Sequence, residues 1–355
     1  MEVSDIPKNS GSLKTFQSLP KVHLHLHLEG AIRLRTILEL YRREGDESLT
    51  LEEVTNKVRM KRNETSFGDF LGKFPFIFGC VNTKKDISRF TREVISDSEA
   101  EGVRYLELRF CPHSMESRTG ISLSETFEGV LEGLHTAKTE CNNLHTNIIA
   151  IIDQRRGTTA AKEAVYWAAR FCNDGVTAID IAGDPSEVPL IEYLEVCNIA
   201  REKGLGLTVH AGELQCAESV RIAVEKLGAN RIGHGIRAIE SPSVIDLLLR
   251  NQVVLEVCVT SNVYTKAATS LKSHPLPRLF DAGIRLTINS DDPLIFNTSL
   301  SKEYKIIQEA FGMTLTDFQT MNLNGIDAAF TNEKIRNEIR SIIIQGYASR
   351  ESALH

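Results

Sequence analysis

Eight short runs rich in β-branched and apolar residues recur along the chain and constrain its fold most strongly. They are 21–28, 104–111, 146–153, 178–183, 206–212, 231–235, 253–260 and 285–290. The segments between them, such as 187–203 and 214–228, carry apolar residues at three- and four-residue spacings, as amphipathic helices do. Strands that alternate with helices predict parallel βα units, and eight such units close a barrel. We therefore predict an α/β fold of the TIM (β/α)8 barrel type.

The segment 32–103, between the first two predicted strands, is longer than a single crossover requires. It contains several helical patterns, among them 85–101, and the aromatic-rich stretch 66–78. We predict a helical insertion after the first strand that covers the C-terminal mouth of the barrel. No Pro/Gly/Ser-rich linker divides the 355 residues, so we predict one domain spanning 1–355.

Charge and cysteine content narrow the possible partners. The chain has 41 Lys plus Arg and 47 Asp plus Glu, a net charge of −6 with no basic block. This balance argues against nucleic acid and anionic membranes and favours a small-molecule substrate, with no obligate protein partner inferred. The seven scattered cysteines form no C-x-x-C pair and predict reduced thiols. Residues 1–21 are polar and lack the apolar run of a secretory signal, so we predict a cytoplasmic protein.

Histidines at every second position of the first predicted strand indicate a metal site. Side chains alternate along a strand, so His23, His25 and His27 should share one face at a spacing of ~6.6 Å. The alternative is a half-buried strand whose polar face meets solvent, which would explain a lone histidine equally well. Three imidazoles at the start of a barrel pattern favour metal ligation.

Three further clusters follow predicted strands 5, 6 and 8. His210 ends strand 5, and Glu213 follows it through a glycine-containing turn. His234 lies between two glycines, and Asp291-Asp292 ends strand 8. Each has a plain structural explanation when taken alone, as a strand cap, a turn histidine or a solvated acidic turn. The carboxyl ends of barrel strands converge on one mouth, so together these residues predict a catalytic site.

The four best-placed ligands share a chemistry that suits zinc. Strand-end positions bring His25, His27, His210 and Asp291 to a common point, and imidazole with carboxylate ligation fits Zn²⁺ while also accommodating iron or cobalt. Two-metal barrels of this kind bridge their ions with a modified lysine at the end of the fourth strand. Residues 181–185 contain no lysine, so one metal per chain is expected.

The combined pattern resembles the adenosine deaminase family of metal-dependent hydrolases over nearly the whole chain. The motifs that carry this resemblance are LHLHLEGA (24–31), RFCPH (109–113), DIAGD (180–184), HAGE (210–213), RIGHG (231–235), EVCVTSN (256–262) and SDDPLIF (290–296). Their type, order and spacing agree together, which is more specific than any single motif.

The resemblance implies a role for each candidate residue. Zinc would be bound by His25, His27, His210 and Asp291. Glu213 would protonate purine N1, and His234 would orient the attacking water, help to deprotonate it and stabilise developing negative charge. Such chemistry needs Glu213 to be neutral, which a desolvated site favours by raising its pKa.

The resemblance also implies substrate contacts. Asp292 would accept or share a hydrogen bond at purine N7, the backbone N–H of Gly183 would meet N3, and position 29 would reach a ribose hydroxyl. An apolar lid would cover the substrate, formed by Phe67, Phe70, Leu71 and Phe74. Position 29 is Glu where the family more commonly has Asp, and position 23 is His where an acidic residue is common.

The leading interpretation is hydrolytic deamination of adenosine and 2′-deoxyadenosine to inosine and 2′-deoxyinosine with release of ammonia. Adenine deaminase is an alternative, favoured by Glu29, and an N6-substituted AMP deaminase is another, although no phosphate cradle is evident from the sequence. A catalytically inactive relative that serves in binding or signalling is the alternative from a different class.

Overall fold

The chain folds around eight parallel strands. The computed structural model describes residues 13–61, 63–64, 66–184 and 188–352. The strands are β1 (Lys21–His27), β2 (Val103–Phe110), β3 (His145–Asp153), β4 (Val176–Ala182), β5 (Gly206–Ala211), β6 (Arg231–His234), β7 (Val254–Val257) and β8 (Leu286–Ile288). Each strand overlaps one of the predicted runs, and its ends lie within three residues of the ends of that run. They pair in sequence order from β1 to β8, and every pair is parallel.

Helices connect and surround the strands. They are α1 (Leu13–Ser18), α2 (Leu34–Arg43), α3 (Leu51–Val58), α4 (Phe67–Leu71), α5 (Phe74–Phe78), α6 (Lys84–Ala100), α7 (Pro112–Thr119), α8 (Leu123–Glu140), α9 (Gly157–Arg170), α10 (Leu194–Glu202), α11 (Ala217–Glu225), α12 (Pro242–Asn251), α13 (Val259–Tyr264), α14 (Leu276–Asp281), α15 (Pro293–Phe296), α16 (Leu300–Phe311), α17 (Leu315–Ala328) and α18 (Glu333–Ser352). The predicted barrel is confirmed, and the insertion between β1 and β2 is helical as expected.

Side chains complete the barrel wall between β1 and β8. Backbone pairing there is limited to a bridge between Leu26 and Asp291. Below it, the Asn289 side-chain oxygen accepts hydrogen bonds from the backbone N–H groups of Leu24 and His25, at 2.9 and 3.0 Å. Asn322 of α17 accepts a third from Val22 at 2.7 Å. These amides satisfy strand donors that the short β8 leaves unpaired.

The apolar core lies between the barrel and its helices, whereas the barrel interior is charged. Apolar side chains of both layers are fully buried, for example Leu106, Ile179 and Val220. Acidic and basic side chains are fully buried inside the barrel, among them Glu107, Arg109, Asp180, Arg231 and Glu256. Among the described helices, none is long and apolar enough to span a bilayer.

Candidate active site

A bulge in β1 decides which of its histidines reach the site. The pairing register with β2 shifts between His23 and Leu26, so β1 holds one extra residue there. Consequently His23 and Leu26 both lie on the helix side of the sheet, whereas His25 and His27 point into the barrel. The expectation that all three imidazoles share one face was wrong, because the bulge breaks the alternation. His23 accepts hydrogen bonds from the Ser290 backbone N–H and hydroxyl, both at 3.2 Å.

The four predicted ligands lie together at the carboxyl end of the barrel. His25 Nε2 and His27 Nε2 are 3.1 Å apart, and they lie 3.1 and 3.2 Å from Asp291 Oδ1. The His210 ring is centred 4.7 Å from that of His25 and 5.5 Å from that of His27. His25, His210 and Asp291 also offer ligand atoms within 4.8 Å of one another, as does His234.

The protonation states of this cluster suit a divalent cation. Burial lowers the pKa of His27 to about 4 and lowers that of His25, so both imidazoles stay neutral with lone pairs free. Burial raises the pKa of Asp291, but its close interactions with the His25 and His27 rings outweigh burial and hold that pKa well below its usual range. Burial lowers the pKa of His210, but interaction with Asp180 outweighs burial and raises that pKa. Neutral imidazoles such as those of His25 and His27, beside an ionised carboxylate, are donors that Zn²⁺ and similar cations bind.

Two buried carboxylates orient the ligand imidazoles. His25 Nδ1 lies 3.0 Å from Glu256 Oε2, and His210 Nδ1 lies 3.0 Å from Asp180 Oδ1. Because an ionised carboxylate only accepts, each ring carries its proton on Nδ1 and directs the Nε2 lone pair at the cluster. Arg109 joins the two carboxylates, with distances of 2.7 Å to Asp180 and 2.8 Å to Glu256.

Sequence reasoning assigned no role to these three residues. Asp180, Arg109 and Glu256 belong to motifs that the family resemblance quoted, but they carry no metal-ligand spacing of their own. The signal that could have found them is a charged residue at an inward position of an otherwise apolar strand. Burying an isolated charge is energetically unfavourable, so such a residue implies a charged partner nearby.

Glu213 and His234 lie beside the cluster. Glu213 Oε2 is 3.5 Å from His234 Nε2, and Glu213 Oε1 is 3.0 Å from the Thr265 hydroxyl. Burial, reinforced by the Asp291 charge, raises the pKa of Glu213 to about 7. Burial lowers the pKa of His234 to about 3, so its ring is neutral. The pair therefore offers a carboxyl group that can hold a proton near neutral pH, next to a neutral imidazole.

The backbone is strained at two of these positions. His234 and Asp291 adopt φ angles of 60° and 59°, a left-handed conformation that side chains other than glycine rarely take. Gly233, next to His234, leaves room for two of the ligand imidazoles, since a Cβ there would lie 3.1 Å from His210 Nδ1 and 3.2 Å from His25 Cε1. Strain of this kind, held by surrounding structure, is typical of functional sites.

Asp292 presents an unsatisfied polar atom to the cleft. Its Oδ1 is buried and has no hydrogen-bond partner within the described structure. Burial and the neighbouring Asp291 and Glu29 carboxylates raise the pKa of Asp292 well above its usual range, so it holds a proton to donate. A Cβ on Gly30 would fall 1.9 Å from Asp292 Oδ1, which explains the glycine. An orphaned buried carboxyl group of this kind implies a ligand atom opposite it.

Glu29 and Gly183 lie on the cleft wall at the positions expected from the sequence. Glu29 Oε1 accepts the backbone N–H of Cys111 at 2.6 Å, and burial raises the pKa of Glu29 to about 7. Gly183 has a φ of 106°, and a Cβ there would lie 2.8 Å from Asp153 Oδ1. The chain therefore approaches the cleft closely at Gly183 because it has no side chain.

Helices α4 and α5 form an aromatic lid over a cleft of about 800 Å³. Phe67, Phe70, Leu71 and Phe74 all line it, as the sequence predicted, and Phe78 joins them. Phe70 packs edge-on against Phe74 at 5.2 Å and stacks on Phe296 at 5.3 Å. The lid makes one side of the cleft apolar, while the ionisable cluster forms its floor. This combination suits a flat heteroaromatic ligand with polar ring atoms.

The fold and site together define a barrel hydrolase of the metal-dependent kind. The sequence profile of the family "Adenosine deaminase" matches residues 20–346. An adenosine deaminase from Clostridium botulinum is 33% identical, with 92% of this chain and 99% of the relative covered. The chain belongs to the adenosine deaminase family, as the motifs suggested, and is a hydrolytic deaminase.

Two solved structures show how varied the substrates of similar barrels are. Adenine deaminase from Arthrobacter aurescens has a TM-score of 0.84 at 26% identity, covering 92% of this chain and 98% of its own. An Arabidopsis N6-mAMP deaminase also has a TM-score of 0.84, at 29% identity, covering 94% of this chain and 99% of its own. Membership of the family therefore leaves the substrate of this chain to be decided from its own cleft.

Proposed function

We propose that this chain hydrolyses adenosine and 2′-deoxyadenosine at C6, with one Zn²⁺ per chain held by His25, His27, His210 and Asp291. The observation that carries the proposal is the position of the buried Glu213, 3.5 Å from His234 and beside the ligand cluster, in a cleft that the unpaired Asp292 Oδ1 also lines. A small purine nucleoside is the proposed partner, in keeping with the largely apolar cleft beneath the lid.

Each residue then has a defined task in the reaction. Water adds to C6, N1 receives a proton from Glu213, and the 6-amino group takes up a proton and leaves as ammonia. His25, His27, His210 and Asp291 would hold the cation, which would supply a nucleophile near neutral pH by lowering the pKa of water to about 7. Asp292 donates its proton in a hydrogen bond to N7, which withdraws electrons from the ring. The backbone N–H of Gly183 is assigned to N3, and the lid excludes water.

The two alternatives each have an observation in their favour. One carboxyl oxygen of Glu29 already accepts the Cys111 N–H, so only the other remains for a ribose hydroxyl. A site with fewer acceptors for the sugar would suit free adenine. Arg118 and Arg155 line the cleft. Arg155 is paired with Asp153. Arg118 lies over the Phe78 ring and forms no ion pair within the described structure, which would suit a 5′-phosphate.

A substrate panel separates the three. We expect the highest kcat/KM for adenosine and 2′-deoxyadenosine, at least ~10-fold above adenine and N6-methyl-AMP, since lost hydrogen bonds in a buried site cost about 1–3 kcal/mol each. The measurement is the change in purine absorbance with metal-replete protein. Arg118→Met is the matched variant, and a selective loss of its N6-methyl-AMP turnover would favour the nucleotide as substrate. In the panel with the unaltered protein, a preference for adenine would overturn the nucleoside assignment.

Metal removal tests the cofactor separately. Dialysis against a chelator is expected to abolish turnover, and added Zn²⁺ should restore it as about one ion binds per chain. Metal analysis before and after reconstitution gives the stoichiometry. Undiminished turnover by protein shown to be metal-free would contradict the proposal, as would restoration only at two ions per chain.

A further inference from the structure

A buried chain of hydrogen bonds lies behind His234, on the side away from the cleft. It passes through Asn262 of α13 and His274, which precedes α14, and ends at the backbone of Leu276. Asn262 and His274 are buried, with exposed fractions of 0% and 3%. Neither residue lines the cleft, so neither contacts a substrate.

The direction of this chain is fixed at its far end. The Leu276 backbone N–H donates to His274 Nδ1 at 3.1 Å, and a backbone N–H has no acceptor function. Nδ1 of His274 therefore carries no proton. Burial lowers the pKa of His274 to about 3, so the ring is neutral and its single proton lies on Nε2.

That proton orients the amide of Asn262. His274 Nε2 lies 3.2 Å from Asn262 Oδ1, and the N–H donates to this oxygen. The opposite amide orientation would place an NH2 group against an N–H, with two donors facing each other. Asn262 must then direct its NH2 group at His234, and Nδ2 lies 3.1 Å from His234 Nδ1.

We propose that His274, acting through Asn262, is a positioning residue that holds His234 as its Nε2–H tautomer. His234 Nδ1 accepts from the amide, so the proton of the neutral ring lies on Nε2, which faces Glu213 at 3.5 Å and Asp291 at 4.0 Å.

The catalytic consequence of this tautomer rests on the proposed function. An Nε2 that already carries a proton donates a hydrogen bond to the oxygen that adds to C6 and stabilises its developing charge. It does not accept the proton of that oxygen, so the share in deprotonation that the family resemblance implied for His234 does not fit this geometry. A doubly protonated His234 is also disfavoured, because its Nδ1–H would face the Asn262 NH2 group.

Nitrogen NMR reads the tautomer independently of activity. In metal-replete protein labelled with ¹⁵N-histidine, His234 is expected to show a pyrrole-type Nε2 and a pyridine-type Nδ1, assigned by loss of its signals in His234→Ala. Asn262→Asp keeps the side-chain shape but replaces the NH2 donor with an acceptor. We expect it to move the His234 proton to Nδ1 and to reverse the two signals.

Turnover is expected to follow the tautomer. Asn262→Asp should lower kcat roughly 10–100-fold with KM changed less than about 3-fold, since removal of one oriented donor costs up to ~10²–10³ in kcat. His274→Phe keeps a ring but frees the amide, and should lower kcat about 10-fold. His274→Gln restores an N–H donor towards Asn262 and should recover most of that loss.

Matched substitutions at exposed positions serve as controls. Asn251→Asp and His145→Gln make the same chemical changes on the surface and should leave kcat and the His234 signals unchanged. A wild-type His234 with its proton on Nδ1 would overturn the proposal, as would an Asn262→Asp variant that keeps both the wild-type signals and kcat. Wild-type signals as expected in a protein that fails to deaminate adenosine would overturn the proposed substrate and leave the tautomer assignment standing.

Discussion

Glu213→Gln is expected to lower kcat by about 10³-fold while the protein keeps its fold and its metal. General acid catalysis contributes typically ~10²–10⁴ in rate, and the amide keeps the size of the side chain but has no proton to give to N1. The loss should appear mainly in kcat, because a glutamine amide still offers a hydrogen-bond donor to a ring nitrogen. Stopped assays of inosine formation together with metal analysis measure both quantities.

A surface glutamate provides the control for this substitution. Glu218 lies on α11 and pairs with Arg221 on the surface. Glu218→Gln should therefore leave turnover unchanged. If Glu213→Gln kept wild-type kcat with the metal retained, Glu213 would not be the proton donor. If it lost its metal as well, the carboxylate would act on the cluster and not on the substrate.

Much of this site was predictable because barrel topology turns linear position into spatial position. Residues at the carboxyl ends of β1, β5, β6 and β8 had to converge, so His25, His210 and Asp291 were placed together from spacing alone. The lid was predictable for a similar reason, because an aromatic-rich helical insertion beside an open barrel mouth has an apolar face to bury.

What sequence reasoning missed depends on local geometry and long-range pairing. The outward turn of His23 follows from a single extra residue in β1, which periodicity cannot register. The orientation of His234 by Asn262 joins positions 28 residues apart through side-chain amide polarity. The partners of Arg109 lie 71 and 147 residues away, on β4 and β7. None of these contacts produces a short sequence pattern from which it could be predicted.

Arg109→Met is expected to have the largest effect on stability. Arg109 is fully buried and pairs with Asp180 and Glu256, and both carboxylates also hold a ligand imidazole. Removing one partner of a buried ion pair costs about 3–5 kcal/mol when the remaining charge stays buried without compensation. Asp180 would lose its arginine partner, whereas Glu256 would keep Arg231 at 2.6 Å. Methionine fills similar apolar volume, so the loss would come from charge and not from a cavity.

The measurement is the free energy of unfolding in denaturant, with the metal removed from both proteins so that ligand binding does not contribute. Arg92→Met is the matched control, since Arg92 pairs with Glu140 at the surface and its loss should cost no more than about 1 kcal/mol.

A second readout separates stability from ligand orientation. Zn²⁺ affinity should fall about 10–100-fold in Arg109→Met at a temperature where the variant is folded, because Asp180 and Glu256 would no longer be fixed against His210 and His25. If Arg109→Met and Arg92→Met had the same free energy of unfolding, the buried carboxylates would be neutral in the folded protein, and Arg109 would not hold them in place.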